Sequence, residues 1–419
     1  MEDTKTQSDT TILSSYNDSV VIPVDQAHRQ TSLDFIRGIA IFGILVMNIQ
    51  TFGNVFASYV NPTVNGDFSG LNVVSWFITH IFFEQKFYTI FSMLFGAGIV
   101  LMAEKAAAKG VSAAKFHYRR SVLLILFGLT HGFYIWFGDI LTTYGVFALL
   151  VYLGWKSKPR NLLITGVIFS ILVSLLMLSG YFGEMPPDQV EMMEQMYLPS
   201  QELIQKEMSN YLGDWGRVHE ARVEAMQKML SFIFFFGIRI AGCMLMGMAL
   251  FKLGIINGKR SLSFYKKLTF ICLIPGLLIT AYGANLLYAD GFKDAIKAQM
   301  LYGQINFLAS IVVALGYLGL FHWVYKSEGL KAFKQRMEAV GQMAFTNYIT
   351  QSVICTTIFY GFGFGLFGSL ERYQLLLVAF MVVALQIVWS KWWLQRFNFG
   401  PLEWLWRSLT YFKFQPFKK

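Results

Sequence analysis

The chain has 419 residues, of which 55% are hydrophobic and 14% charged, whereas a soluble domain carries about a quarter charged residues. Forty Phe, twenty Tyr and ten Trp push the balance further toward lipid and exclude an ordinary soluble chain. The net charge of +10 would suit an acidic partner such as nucleic acid, but here the basic residues collect beside apolar runs, as in cytoplasmic loops of membrane proteins.

Residues 1–30, with TKTQSDTT and SSYNDS, are polar and lack an apolar signal region, so they read as a disordered cytoplasmic tail. Apolar runs long enough for a hydrocarbon core of about 30 Å follow near 35–56, 86–104, 120–137, 140–155 and 161–182. Five more lie near 229–251, 267–288, 302–325, 339–364 and 373–395. The stretch 71–83 is too short to span alone and fits an interfacial helix, or the outer part of a longer one broken near Glu84. The expected fold is therefore an all-α polytopic membrane protein with about ten transmembrane helices, both termini cytoplasmic. It divides into a transmembrane half at 31–182, a helical extracytoplasmic insertion at 183–228, a second half at 229–400 and a basic tail at 401–419. Orientation follows from Lys105, Lys109, Lys115, Arg119 and Arg120, from KSKPR at 156–160, and from the basic stretches 252–267 and 326–336, which all fall on one side. The insertion is acidic and suggests one or two amphipathic helices packed against the bundle.

Polar groups within a bilayer are costly, so they carry the functional information. Asp34 and Arg37 sit three residues apart on one helix face and can pair. Asn48 shares that face, about 16 Å further along, where an interhelical hydrogen bond competes with a substrate contact. Glu84 and Lys86 lie between apolar flanks on different faces, which suggests a helix break or a hydrated cavity. Ser92, Gly96 and Gly98 suit close helix packing. In RRSVLLILFGLTHGFYIWFGDIL, Arg120 and His131 repeat the same spacing. Asp139 falls on the same side but too far along a continuous helix for direct contact. His80 and His322 make weaker candidates, His322 because it can reach water at a helix end. Gln342, Thr346, Asn347, Thr350 and Gln351 form a stripe of the kind that joins helices, and Arg239 wants a carboxylate, with Glu84 or Asp139 in prospect. Cys243, Cys272 and Cys355 read as small core hydrophobes, and no spacing suggests a metal site or a phosphate loop.

The segments LDFIRGIAIFGILVMN, KFYTIFSMLFGAG, YRRSVLLILFGLTHGFYIWFGDIL, GQMAFTNYITQS and GPLEWLWR resemble the YeiB-like family of bacterial inner-membrane proteins, which carry a C-terminal domain of unknown function numbered 418. The likeness runs over about 31–410 and implies a multi-pass protein of the bacterial inner membrane. That family is similar to transmembrane acyltransferases, including lysosomal heparan acetyltransferases and bacterial O-acyltransferases, whose first helix has an Arg and, after ten residues, a His. Arg37 matches the Arg, but Asn48 stands at the His and cannot act as a base. The resemblance implies acyl transfer from a cytoplasmic acyl-CoA donor to a glycan, lipid-linked or other small acceptor. His131 would serve as base or acyl carrier and Asp139 would orient it, while Arg37, Arg119 and Arg120 would hold donor phosphates. Asn48, Glu84, Lys86 and Arg239 join them as candidate binding residues, with no metal and no covalent cofactor. The competing reading is a proton-coupled transporter or flippase using His131, Asp139, Glu84, Lys86 and Arg239 as a relay. An inert scaffold is a third reading, and a homo-oligomer remains open.

Overall fold

The computed structural model describes residues 30–108 and 110–419; the expected N-terminal tail, apart from Gln30, lies outside them. The chain opens with α1 (Thr31–Gly53), the single turn α2 (Ala57–Val60), α3 (Gly70–Phe82) and α4 (Lys86–Ala108). Next come α5 (Ala113–Tyr134), α6 (Leu141–Val151, prolonged by a 3-10 turn to Gly154) and α7 (Pro159–Phe182). A triplet, α8 (Pro187–Tyr197), α9 (Gln201–Tyr211) and α10 (Trp215–Ser231), leads into α11 (Ile233–Lys252). Then α12 (Leu262–Leu268) runs through a π-helical turn into α13 (Ile274–Ala289), and another π-helical turn opens α14 (Gly303–Lys326). The chain finishes with α15 (Lys331–Gln342), α16 (Ala344–Phe359), α17 (Arg372–Arg396) and α18 (Pro401–Tyr411). Among the described residues the fold is helical, apart from one bridge between Phe397 and Lys418.

Seven segments are long and apolar enough to cross a membrane: α1, α3 with α4, α7, α11, α12 with α13, α14 with its opening turn, and α17. This makes the chain a multi-pass integral membrane protein. Each of the ten expected runs falls on helical chain, though not always on one helix. However, α5 opens with Lys115, Arg119 and Arg120, α6 with its extension spans 141–154, and α16 has 16 residues. The expected run 339–364 is two helices, because the chain kinks at Met343 (φ −107°, ψ 26°) between α15 and α16.

The helices turn conventional amphipathicity inside out. On α7, Gly166, Ser170, Val173 and Ser174 are buried, while Ile164, Ile168, Leu172, Leu175 and Leu176 are exposed. Apolar side chains gain nothing by hiding from lipid, so small and polar ones take the close contacts. At the centre, α4 and α11 cross where a Cβ on Gly96 would meet the Met244 carbonyl at 2.0 Å, and one on Gly247 would meet that of Met93 at 1.9 Å. Gly98, expected to share this packing role, has open space around its Cβ position.

Between α3 and α4 the helix breaks as the sequence suggests, with Gln85 in the left-handed region (φ 69°). The insertion forms three helices, one more than expected at most. The extra break falls at Pro199–Ser200, where proline disfavours helix in the residue before it and the Ser200 hydroxyl caps α9 by accepting from Leu203 N (3.3 Å). Asp214 does the same for α10 through Arg217 N (3.0 Å). Residues 401–419 fold back as α18 and a short return pinned by Asn398 Nδ2, which donates to Lys418 O (2.9 Å).

Candidate functional site

Helix α5 ends at Tyr134, where the His131 carbonyl accepts from both Ile135 N and Trp136 N (2.9 Å each). The chain then turns sharply before α6, and Asp139 comes back beneath the helix it followed. His131 Nδ1 lies 2.8 Å from Asp139 Oδ2. The sequence expectation that the two were too far apart is therefore corrected: it assumed a continuous helix. Asp139 Oδ1 accepts from Thr142 N (2.8 Å) and Thr142 Oγ1 (2.7 Å), so the carboxylate is fixed on both oxygens. On the imidazole's other side, Nε2 lies 2.9 Å from Ser352 Oγ on α16. Exposure is 0% for His131, 1% for Ser352 and 7% for Asp139. The ring also packs against Tyr348 and Trp136, at 5.1 and 6.3 Å between centroids.

With both carboxylate oxygens accepting, the network assigns the proton of a neutral imidazole to Nδ1. Nε2 then offers its lone pair and the Ser352 hydroxyl donates to it. A buried carboxylate that sets the tautomer, and a base facing a hydroxyl, form the arrangement used to activate alcohols.

About three turns, or roughly 16 Å, toward the other end of α5 lies a cavity of about 180 Å³. Arg37, His117, Arg120, Ser121, Met102 and Trp406 line it, together with Gly98 and apolar neighbours. Arg37 Nη1 pairs with Asp34 Oδ1 at 2.6 Å. Among the described residues no carboxylate lines this cavity beside Arg120: its guanidinium lies 3.9 Å over the Trp406 ring and 3.6 Å from Met102 Sδ. Arg119 points elsewhere, donating to Thr410 O (2.7 Å) and stacking over Phe412 (3.9 Å). Asn48 is half-buried on α1, and its backbone carbonyl accepts from Thr51 Oγ1 (2.9 Å).

Glu84, Lys86 and Arg239 are not brought to His131. Glu84 pairs with His80 Nδ1 (2.5 Å), which stacks on Trp76. Lys86, 0% exposed, donates to His80 O (2.7 Å) and Asn306 Oδ1 (2.5 Å). The expected carboxylate partner of Arg239 is neither Glu84 nor Asp139. Its guanidinium donates to Phe307 O (2.7 Å) and Ser310 Oγ (2.6 Å) and lies 3.5 Å over the Phe307 ring. A carbonyl, a hydroxyl and an aromatic face replace the anion there. His322 is likewise buried rather than reaching water, with Nε2 3.0 Å from Ile256 O.

Residues 250–413 match the family described as protein of unknown function (DUF418). The chain is 32% identical over 409 residues to the uncharacterized protein YxaH of Bacillus subtilis (strain 168), covering 92% of this chain and 95% of that protein. It is 31% identical to the uncharacterized protein YeiB of Escherichia coli (strain K12), over 91% of this chain and 96% of that protein. The chain belongs to the YeiB-like DUF418 family. An uncharacterized 39.9 kDa protein of Bacillus acidopullulyticus is 26% identical over 395 residues. In this DUF418 chain the polar stripe on α16 divides its work. Asn347 and Gln351 face α17, where Gln351 Nε2 donates to Gln386 Oε1 (2.8 Å) and Trp389 Nε1 to Asn347 Oδ1 (2.8 Å), whereas Ser352, one residue on, faces α5. Sequence reasoning missed Ser352, Thr142, Trp406 and His117. Only the adjacency of Ser352 to a known polar stripe hinted at any of them.

Proposed function

We propose that this protein is a membrane acyltransferase of the bacterial inner membrane, moving an acyl group from a cytoplasmic acyl-CoA donor to an extracytoplasmic or lipid-linked acceptor. One observation carries the reading: the buried imidazole of His131, oriented by Asp139, faces a hydroxyl at 2.9 Å. His131 Nε2 takes the proton of the attacking hydroxyl, and Asp139 stabilises the imidazolium that results. Arg37 and Arg120, at the cavity about 16 Å away along α5, hold donor phosphates and leave a long thiol-bearing arm to span the interval. His117 and Trp406 complete that cavity, while Arg119 steadies its wall through Thr410. The competing relay is less well supported: among the described residues, no hydrogen bond connects His131 or Asp139 with Glu84, Lys86 or Arg239.

Purified protein in lipid vesicles, supplied with a panel of acyl-CoA donors and lipid, glycan and small-alcohol acceptors, tests the reading by thiol release and product mass. His131→Asn should lower the rate by about 10²–10⁴-fold, the worth of a positioned base. Arg120→Gln should raise KM for the donor by roughly tenfold, corresponding to one charge-assisted contact, with little change in kcat. Absence of transfer with every donor, or full activity in His131→Asn, refutes it.

A further inference from the structure

We infer that Ser352 carries the acyl group as a covalent ester, so that transfer proceeds by double displacement. This rests on the acyl-transfer reading and specifies its chemistry.

A serine inside a membrane helix ordinarily bonds its hydroxyl back to the carbonyl four residues earlier. On this same helix Thr350 does so to Thr346 O, Thr356 to Ser352 O and Thr357 to Val353 O, each at 2.8 Å. Ser352 follows them only weakly: its hydroxyl keeps a stretched 3.5 Å contact to Tyr348 O, and its short contact, 2.9 Å, is to His131 Nε2. The hydroxyl has let its local bond lengthen in favour of the imidazole. A hydroxyl kept only for helix stability would hold the local bond, which costs no second element. The partner instead comes from 221 positions away, from a histidine whose other nitrogen is already engaged by a doubly anchored carboxylate. Nucleophile, base and orienting acid thus stand in one line.

A donor also waits nearby. The indole Nε1–H of Trp136, a residue 2% exposed whose ring centroid lies 6.3 Å from that of His131, has no hydrogen-bond partner among the described residues. Buried indole N–H groups normally find one, which makes this N–H a candidate donor to a carbonyl oxygen that gains charge beside His131.

In the first half-reaction Ser352 Oγ attacks the thioester carbonyl carbon while its proton passes to His131 Nε2. The Oγ–C bond forms, the C–S bond breaks, and the imidazolium returns the proton to the leaving thiolate. In the second, an acceptor hydroxyl gives its proton to Nε2 and attacks the serine ester. The Oγ–C bond breaks and Ser352 recovers the proton. No oxidant or further reactant is required.

The test uses the full chain in detergent or vesicles with two probes, a fluorophosphonate and acetyl-CoA labelled in its acetyl group. The fluorophosphonate should modify Ser352 in the wild type, at least about 100-fold more slowly in His131→Asn, and not at all in Ser352→Ala. Labelled acetyl-CoA without acceptor should leave a hydroxylamine-sensitive acetyl group on Ser352, and Ser352→Cys should retain it as a thioester. Thiol release by the wild type with no label at Ser352 from either probe overturns the covalent step and leaves acyl transfer standing. So does a Ser352→Ala variant that transfers at the wild-type rate. Labelling of Ser352 by fluorophosphonate, with no transfer from any donor, keeps the nucleophile and removes the acyltransferase reading instead. Sedimentation and thermal melting of each variant separate lost chemistry from lost folding.

Discussion

At Gly128 a methyl group would land 2.3 Å from the amide nitrogen of Thr142, 2.5 Å from its Oγ1 and 2.7 Å from Asp139 Oδ1. These are the groups that fix the carboxylate beneath His131, so the bare Cα of Gly128 lets the turn after α5 fold back far enough to reach it. Two effects oppose each other in Gly128→Ala. Helix propensity favours alanine by up to about 1 kcal/mol, whereas overpacking at a rigid contact costs about 1–3 kcal/mol, and the atoms in the way are partly backbone. The clash wins, and the variant should melt lower than the wild type. A displacement of the carboxylate by about 1 Å should also cost roughly 10²-fold in transfer rate. Melting in detergent and initial rates of thiol release check both. A variant more stable and equally active would show that this close approach is not used.

The elements that carry the site are held from a distance. Glu403, in the first turn of α18, accepts at Oε1 from Phe345 N (2.7 Å) and Thr346 N (3.1 Å), and at Oε2 from Thr346 Oγ1 (2.6 Å). It therefore caps α16, the helix of Ser352, with an anion at its positive end. At the other end of the bundle, α9 is tied to the exit of α1 by Glu207 Oε1, which accepts from Phe56 N (2.9 Å). Burial pushes the Glu207 carboxyl up to about 7, against an ordinary value of 4.5. Because the folded chain holds this proton more tightly than the unfolded chain, the contribution is complete below about pH 4.5 and is lost as pH rises through about 7. Melting temperature should fall between pH 5 and 8 in the wild type and respond less in Glu207→Gln; parallel curves would exclude Glu207 as the titrating group. Much of this element scale was legible in the sequence. Apolar runs located the helices, and the break before Lys86 followed from two charges that one helix face cannot satisfy together. The site was less so. Asp139 was named, but its direct contact with His131 was hidden by reading α5 through a stop that carries no proline, and Ser352 was hidden by a partner 221 positions distant. The insertion gave up its third helix only through Pro199 and the Ser200 cap.

At the scale of the molecule, the contacts sort the connections to two ends. Lys252 Nζ donates to Ser157 O (2.8 Å), Tyr325 joins Thr31 and Glu338, and Arg119 reaches Thr410 O. These contacts gather the basic connections and the C-terminal helix around one end of the bundle. At the opposite end, Asn61 Nδ2 donates to Tyr197 O and Phe292 O (3.2 Å each), Gly368 N to Gly53 O (2.8 Å), and Arg222 Nη1 to Tyr134 O (2.6 Å). Basic loops stay on the cytoplasmic side, so the Arg120 cavity should open inward and the α8–α10 cap, above His131, should face outward. Single cysteines at exposed positions decide this: Lys158→Cys and Lys331→Cys at the basic end, Gln189→Cys and Glu202→Cys in the cap. In intact cells a membrane-impermeant maleimide should label the cap pair and spare the basic pair until the membrane is opened, with the wild type as blank for Cys243, Cys272 and Cys355. The reverse pattern would invert the orientation and put the arginine cavity out of reach of a cytoplasmic thioester. Labelling of one basic position without the other would break the count of crossings between them, and with it the placement of α16. The assay bears on mechanism because it requires no substrate: donor charge and imidazole lie on one helix, and only its direction across the bilayer makes them successive stations of a transfer.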